Sequence, residues 1–228
     1  MSDKAQNQPA NAGQRSRRGV LVAVIGIPVA AALAAVFFYS SDKAPSRDPA
    51  STARAADLAS EHSPSLGNAN AKVHIVEFLD PACGTCALFY PMVKGWMNEV
   101  PGEMRLSVRH VAFHTGVEQA VKILEASRQQ DRYWQTLEAL LSSQQQWVRN
   151  HVVQPDKIWG VIADVGLDRE QLMADMESVE VLQRIERDKQ DAISLKVSAT
   201  PEYFVNGRPL PSFGRQQLAT LIREELEK

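Results

Sequence analysis

Apolar side chains are laid out along the chain in three regimes. Residues 19–39, GVLVAVIGIPVAAALAAVFFY, form a run of 21 positions without a charge. That matches the roughly 20 apolar residues that carry a helix across a bilayer. Gly26 and Pro28 fit such a helix, since membrane spans tolerate both. A cleaved signal peptide is the rival reading, but its apolar region runs only about 7–15 residues, and no small-x-small site follows Tyr39 promptly. Residues 1–18 are polar and set Arg15, Arg17 and Arg18 beside the run. The N-terminal tail is therefore expected in the cytoplasm, with everything after Tyr39 outside it. Residues 40–66 are rich in Ser, Ala, Pro and Asp and poor in bulky apolar side chains. They read as a flexible linker with a root-mean-square reach of roughly 25–30 Å.

From residue 67 onward the pattern becomes periodic. A turn at Gly67-Asn68-Ala69-Asn70 leads into Val73, Ile75, Val76 and Phe78, a β-branched and aromatic run that predicts a buried strand ending at Leu79. A helix follows over about residues 83–98, with Pro91 inside it as a kinking residue. Residues 105–111 alternate as a second strand, so that strand, crossover helix and strand make a parallel βαβ unit. About residues 115–196 then read as almost wholly helical. Val117, Ala120, Val121 and Leu124 share one face; Tyr133, Leu137 and Leu140 another; Ile158, Val161, Ile162 and Val165 a third. Gly166 reads as a C-cap and Asp168 as the next N-cap, with Gln171 at the capping-box position and Leu167 and Leu172 as a staple. A longer helix from about residue 179 carries Leu182, Ile185, Ala192 and Leu195, and ends before Thr200-Pro201. Asn206-Gly207 between residues 202–205 and 208–210 predicts a hairpin, and residues 215–227 a last helix burying Leu218, Leu221, Ile222 and Leu226.

Composition narrows the choices of chemistry. The 228 residues carry a net charge of −2, so no basic excess points to nucleic acid as a partner. With residues 1–66 set aside as tail, span and linker, residues 67–228 suffice for one ordinary core. There are two cysteines, Cys83 and Cys86, separated by Gly84 and Thr85. A four-cysteine zinc site is excluded by count, and no structural disulfide is left to assign. No Gly-rich phosphate loop, serine triad signature or metal-binding helix motif is present.

The CxxC stands where the strand hands over to the helix. A thiolate at a helix N-terminus meets unpaired backbone N–H groups and the positive end of the macrodipole, so Cys83 is the expected nucleophile. Cys86, one turn further in, can attack a mixed disulfide formed at Cys83. Glu77, flanked by Val76 and Phe78, reads as a buried acid rather than an exposed one on an edge strand, and burial would raise its pKa into the range of a useful proton acceptor. The competing reading makes the CxxC half of a metal site, for instance in copper handling, completed by His110 or His114. For those histidines packing and loop roles are the alternative to ligation. The tryptophans Trp134, Trp147 and Trp159 read as core or groove residues.

The order β, α with CxxC, β, helical block, X-Pro, β-hairpin, α resembles a thioredoxin-like fold with a helical insertion, as in the DsbA-like thiol-disulfide oxidoreductases. Four features over about residues 71–228 carry the resemblance: Cys83-Gly-Thr-Cys86, Glu77 six residues before it, Pro91 eight after Cys83, and Thr200-Pro201 directly before the hairpin. The resemblance implies a cis-proline at Pro201 facing the dithiol, Thr200 at the substrate-binding edge, and no metal or organic cofactor. It implies client proteins with cysteines, exchange in the oxidising direction, and a membrane redox partner of the DsbB or VKOR type. A transmembrane electron donor would take that place if the enzyme were a reductase or isomerase. Isomerases of this superfamily usually carry a dimerisation module ahead of the domain, for which residues 40–66 are too short and too polar. The best-known oxidases have Pro-His where this chain has Gly84-Thr85, so no imidazole stands between the two sulfurs.

Overall fold

The computed structural model describes Leu58, Ser60 and residues 62–228; the expected cytoplasmic tail and membrane span lie outside the described residues. Among the described residues no helix is long and apolar enough to cross a membrane. Seven strands are present there: β1 (Ser65–Gly67), β2 (Val73–Leu79), β3 (Met104–His110), β4 (Val148–Arg149), β5 (Val152–Val153), β6 (Glu202–Val205) and β7 (Arg208–Pro209). The helices are α1 (Gly84–Glu99), α2 (Glu118–Ser127), α3 (Tyr133–Ser142), α4 (Gln144–Trp147), α5 (Pro155–Val161), α6 (Arg169–Asp175), α7 (Val179–Ser194) and α8 (Arg215–Leu226). The main sheet has the order β1-β3-β2-β6-β7, with β2 and β3 parallel and every other pair antiparallel. It is the thioredoxin-like arrangement expected from the sequence, with the helical block inserted between its two halves.

Strand alternation sorts side chains onto two faces. Val73, Ile75 and Leu79 of β2 meet Phe89, Tyr90 and Val93 of α1 and Leu218, Leu221 and Ile222 of α8, and this core continues into the insertion through Leu124, Leu137 and Trp147. Val76, Phe78 and Phe204 pack on the opposite face with Val111, Ala192, Val197 and Leu58. Burial on both faces explains why β2 reads as a nearly continuous apolar run. Asn206 and Gly207 both have positive φ, as the predicted two-residue hairpin requires. Asp168 caps α6 through a 2.9 Å bond from the Gln171 amide, while the Gln171 side chain turns to Asp175 instead of closing a capping box.

Three expectations need correction. The linker was expected to run to residue 66, but Leu58 is 2% exposed, Ser63 and Pro64 are buried, and Ser65–Gly67 pair antiparallel with β3. A polar composition concealed this because β1 is held by backbone pairing and by Ser65 bonding Ser107 across the strands. The insertion, expected to be almost wholly helical, also holds a short hairpin that was not foreseen, where Asn150 and His151 take positive φ and fold β4 against β5. The third correction concerns α7. It buries Val181, Arg184, Asp188 and Ala192, while Leu182 is 40% exposed. A buried charge on β3 explains the choice: Arg109, on the second face of the sheet, pairs with Asp188 at 2.5 Å and with Asp191.

Candidate active site

The end of β2 runs into a turn that Asp80 organises. Its carboxylate accepts the Ala82 amide at 2.8 Å and the Phe113 and His114 amides at 2.7 and 2.9 Å, and His114 Nδ1 lies 3.0 Å away. The Cys83 amide donates to the Asp80 carbonyl at 3.0 Å. Cys83 thereby becomes the N-cap of α1 with extended φ/ψ, and its carbonyl accepts the first helical bond from Ala87 at 3.1 Å. A second brace comes from the insertion, where Gln144 Nε2 donates to the Pro81 and Cys83 carbonyls at 2.8 and 3.0 Å.

The Thr200–Pro201 peptide is cis, and it brings the Thr200 carbonyl to 3.3 Å from Cys83 Sγ, which donates to it. Pro201 is buried and Thr200 half-buried. The structure thus brings together Cys83, Cys86, Thr200 and Pro201, with Gly84 exposed and Thr85 half-buried at the head of the helix. Pro91 lies within α1 on its exposed side.

The two sulfurs differ sharply. Cys83 keeps 7% of its surface and Cys86 none. The Cys86 thiol, helped by the Thr200 side chain and the Cys86 and Thr85 amides, outweighs burial and lowers the Cys83 pKa from 9.0 to about 5. Burial drives Cys86 the other way, with the Cys83 sulfur and the Glu77 charge adding to the rise. No imidazole is needed to hold the Cys83 thiolate, because the partner thiol, a threonine side chain and helix-start amides supply the stabilisation.

Glu77 is fully buried at the middle of β2, paired in register with Val108 of β3 and Tyr203 of β6. Neither of its carboxylate oxygens has a hydrogen-bond partner. Burial raises its pKa from 4.5 to about 8; Tyr203 favours the anion from outside hydrogen-bonding geometry, and the Cys83 charge opposes it. The candidate metal ligands are otherwise engaged. His110 Nε2 lies 2.9 Å from the Tyr133 hydroxyl and His114 bonds Asp80, and among the described residues no three His, Cys, Asp or Glu side chains converge as a metal site would require. Asp80, Gln144 and Tyr203 were not singled out from the sequence. Only Asp80 carried a signal, as the Asp-Pro dipeptide at the strand end.

Comparison with known proteins agrees with this geometry. Residues 59–224 match the thioredoxin family. A thioredoxin-like oxidoreductase of Silicibacter pomeroyi superposes with a TM-score of 0.66 at 28% identity, covering 77% of this chain and 98% of that one. The thiol:disulfide interchange protein DsbA of Bordetella parapertussis is 25% identical over 144 residues, 62% of this chain and 66% of that one. A Na(+)/H(+) antiporter NhaA of Herminiimonas arsenicoxydans is 31% identical over 158 residues, which is 69% of this chain but only 24% of the antiporter. With the family matched over residues 59–224 and DsbA among its relatives, the chain belongs to the thioredoxin family and is a DsbA-like member of its superfamily.

Proposed function

We propose that this chain is a membrane-tethered thiol-disulfide oxidoreductase that works outside the cytoplasm, on the periplasmic side, and donates a Cys83–Cys86 disulfide to client proteins. Residues 19–39 serve as the single anchor, residues 1–18 remain in the cytoplasm, and the chain from residue 40 to the start of the folded domain is the tether. The observation that carries the reading is the asymmetry of the two sulfurs: Cys83 is the accessible one, favoured as thiolate, and Cys86 is sealed and favoured as thiol.

A client thiolate attacks Cys83 Sγ, the Cys83–Cys86 bond breaks, and the electron pair goes to Cys86, which takes a proton from Glu77. A second client thiolate then attacks the client sulfur of the mixed disulfide. Cys83 leaves as a thiolate, the client holds the new disulfide, and the enzyme is left reduced. A low pKa makes Cys83 a good leaving group and stabilises the reduced enzyme, with about 1.4 kcal/mol, or about 30 mV, for each pKa unit. Thr200, beside Pro201, offers its backbone to an extended client segment, a contact that does not depend on client side chains. Reoxidation falls to a membrane partner of the DsbB or VKOR type, which an anchored enzyme meets at raised effective concentration.

Trapping of free thiols in intact cells tests the direction. Cys83 and Cys86 should be found as a disulfide, and the purified chain should be more oxidising than about −200 mV. A pair held mostly as dithiol would instead make the protein a reductase or isomerase supplied by a transmembrane donor.

A further inference from the structure

Glu77, the proton donor of the exchange steps, has a buried cross-strand partner that those steps leave unused. Tyr203 and Glu77 are direct cross-strand partners in an antiparallel ladder, so their side chains leave the sheet on the same face, toward α1. Both are 0% exposed. The Tyr203 hydroxyl and both Glu77 oxygens lack a hydrogen-bond partner. A buried hydroxyl and a buried carboxyl that find no partner are costly, because each has lost its water without gaining a hydrogen bond. Phenylalanine would fill the same space against Phe89, whose ring centroid lies 6.2 Å from that of Tyr203. Packing alone therefore does not account for the hydroxyl.

We propose that Tyr203 is a positioning residue for Glu77: its hydroxyl donates to the Glu77 carboxylate whenever Glu77 is charged and turns the other oxygen toward Cys86. The proposal rests on the exchange reaction argued above. When the Cys83–Cys86 bond breaks, the departing Cys86 thiolate takes the Glu77 proton, and a negative charge is left where water does not reach. Tyr203 is the neutral donor that meets this charge. In the reverse direction the Cys86 S–H bond breaks, Glu77 takes the proton, and the Cys86 sulfur closes on Cys83 as the client thiolate leaves.

The other titratable groups near Glu77 do not offer this donor. Cys83 and Cys86 on α1 are the reacting atoms. The Tyr90 hydroxyl, also on α1, donates to Glu138 at 3.2 Å. β3 sets Val108 opposite Glu77, and His110, two residues on, is engaged with Tyr133 at 2.9 Å. α8 presents Leu218, Leu221 and Ile222 to this core.

The test compares the full-length protein with Tyr203→Phe, Glu77→Gln and the double variant, following reduction of the enzyme disulfide by dithiothreitol across pH. Tyr203→Phe should move the Glu77-dependent midpoint upward by about one pH unit, the worth of one hydrogen bond to a charged group. At pH 7, where Glu77 is mostly protonated in both proteins, the rate should fall about three- to tenfold, because a weaker acid gives its proton less readily to Cys86. In the Glu77→Gln background the same substitution should change the rate by less than about twofold, since coupled residues are non-additive. The Glu77 carboxyl stretch, read by infrared difference spectroscopy between low and high pH, should titrate at correspondingly higher pH in Tyr203→Phe. An unchanged midpoint, or an equal loss of rate with and without Glu77, would overturn the role of Tyr203. The infrared titration reads the Tyr203–Glu77 contact without any exchange reaction. A shifted carboxyl in a protein that exchanges no disulfides would sink the oxidoreductase reading and leave the contact standing.

Discussion

At the scale of single residues, the dithiol makes two predictions with opposite signs. Cys83 should react with iodoacetamide along a titration curve centred near pH 5, while Cys86 should stay inert in the native state because burial and two neighbouring negative charges hold its proton. Cys86→Ala should accumulate client mixed disulfides through Cys83, and Cys83→Ala should trap far fewer; equal trapping would contradict the assigned roles. Glu77 adds a stability prediction. Its native pKa near 8 lies above the ordinary 4.5, so between those values the folded state binds more protons than the unfolded one and stability falls as pH rises. Glu77→Gln should therefore stabilise the protein by an amount that grows from about pH 4.5 to pH 8 and vanishes below it, read from denaturant midpoints. A pH-independent difference would remove the buried charge as the cause. Cys83, Cys86, Glu77 and the Thr200-Pro201 pair were legible in the sequence because each is tied to a local signal: CxxC at a helix start, an acid inside an apolar strand, an X-Pro before a hairpin. Tyr203 and Gln144 were not, since one requires the β2–β6 register and the other a contact between residues 61 positions apart.

Among elements, the apolar pattern was a good guide wherever a helix or strand buries hydrocarbon, and it failed where charge is buried. On α7 the expected Ile185, Ala192 and Leu195 do pack inward, but Leu182 is exposed and the charged Arg184 and Asp188 are buried, where they pair with Glu125 and Arg109. Asp188 is the hub. It accepts from Arg109 Nε at 2.5 Å, from the His110 amide at 2.7 Å, and contacts His62 Nε2 at 2.7 Å. Burial alone would raise the Asp188 carboxyl, but His62, Arg109 and the His110 amide outweigh it and hold the pKa below 3.8. Asp188→Ala should lower the unfolding free energy by about 3–5 kcal/mol, because Arg109 would be left buried with one of its two carboxylates. The difference should narrow in strong acid, where the wild-type carboxylate is itself lost as pH falls through its depressed native pKa. A loss under about 1 kcal/mol at pH 7 would show that Asp191 alone satisfies Arg109. The β4–β5 hairpin was missed for another reason: its turn is Asn150-His151, and histidine at positive φ carries little of the turn signal that glycine gives.

For the whole molecule, the proposed setting rests on two adjoining stretches of opposite character. Residues 19–39 have the length and lack of charge of a span, with Arg15, Arg17 and Arg18 on one side to hold that end in the cytoplasm. The folded domain takes up the chain from Leu58, and Arg109 Nη1 donates to the Leu58 carbonyl at 3.3 Å. If residues 19–39 are the proposed span, at most residues 40–57 separate it from the domain, and a coil of that length would reach roughly 20–25 Å. On the proposed reading, such a leash would keep Cys83 within reach of a membrane oxidant while clients arrive from the aqueous side. Protease added to spheroplasts should cut within residues 40–57, release a fragment that keeps both cysteines, and leave residues 1–39 in the membrane. The released fragment should unfold at the same temperature as the detergent-solubilised full chain, because the contacts of Leu58, His62 and Pro64 stay with it. Recovery of an N-terminally processed soluble protein without added protease would instead make residues 19–39 a cleaved signal. If a doubled tether left reoxidation of Cys83 and Cys86 in cells unslowed, proximity to the membrane oxidant would not be what the anchor supplies.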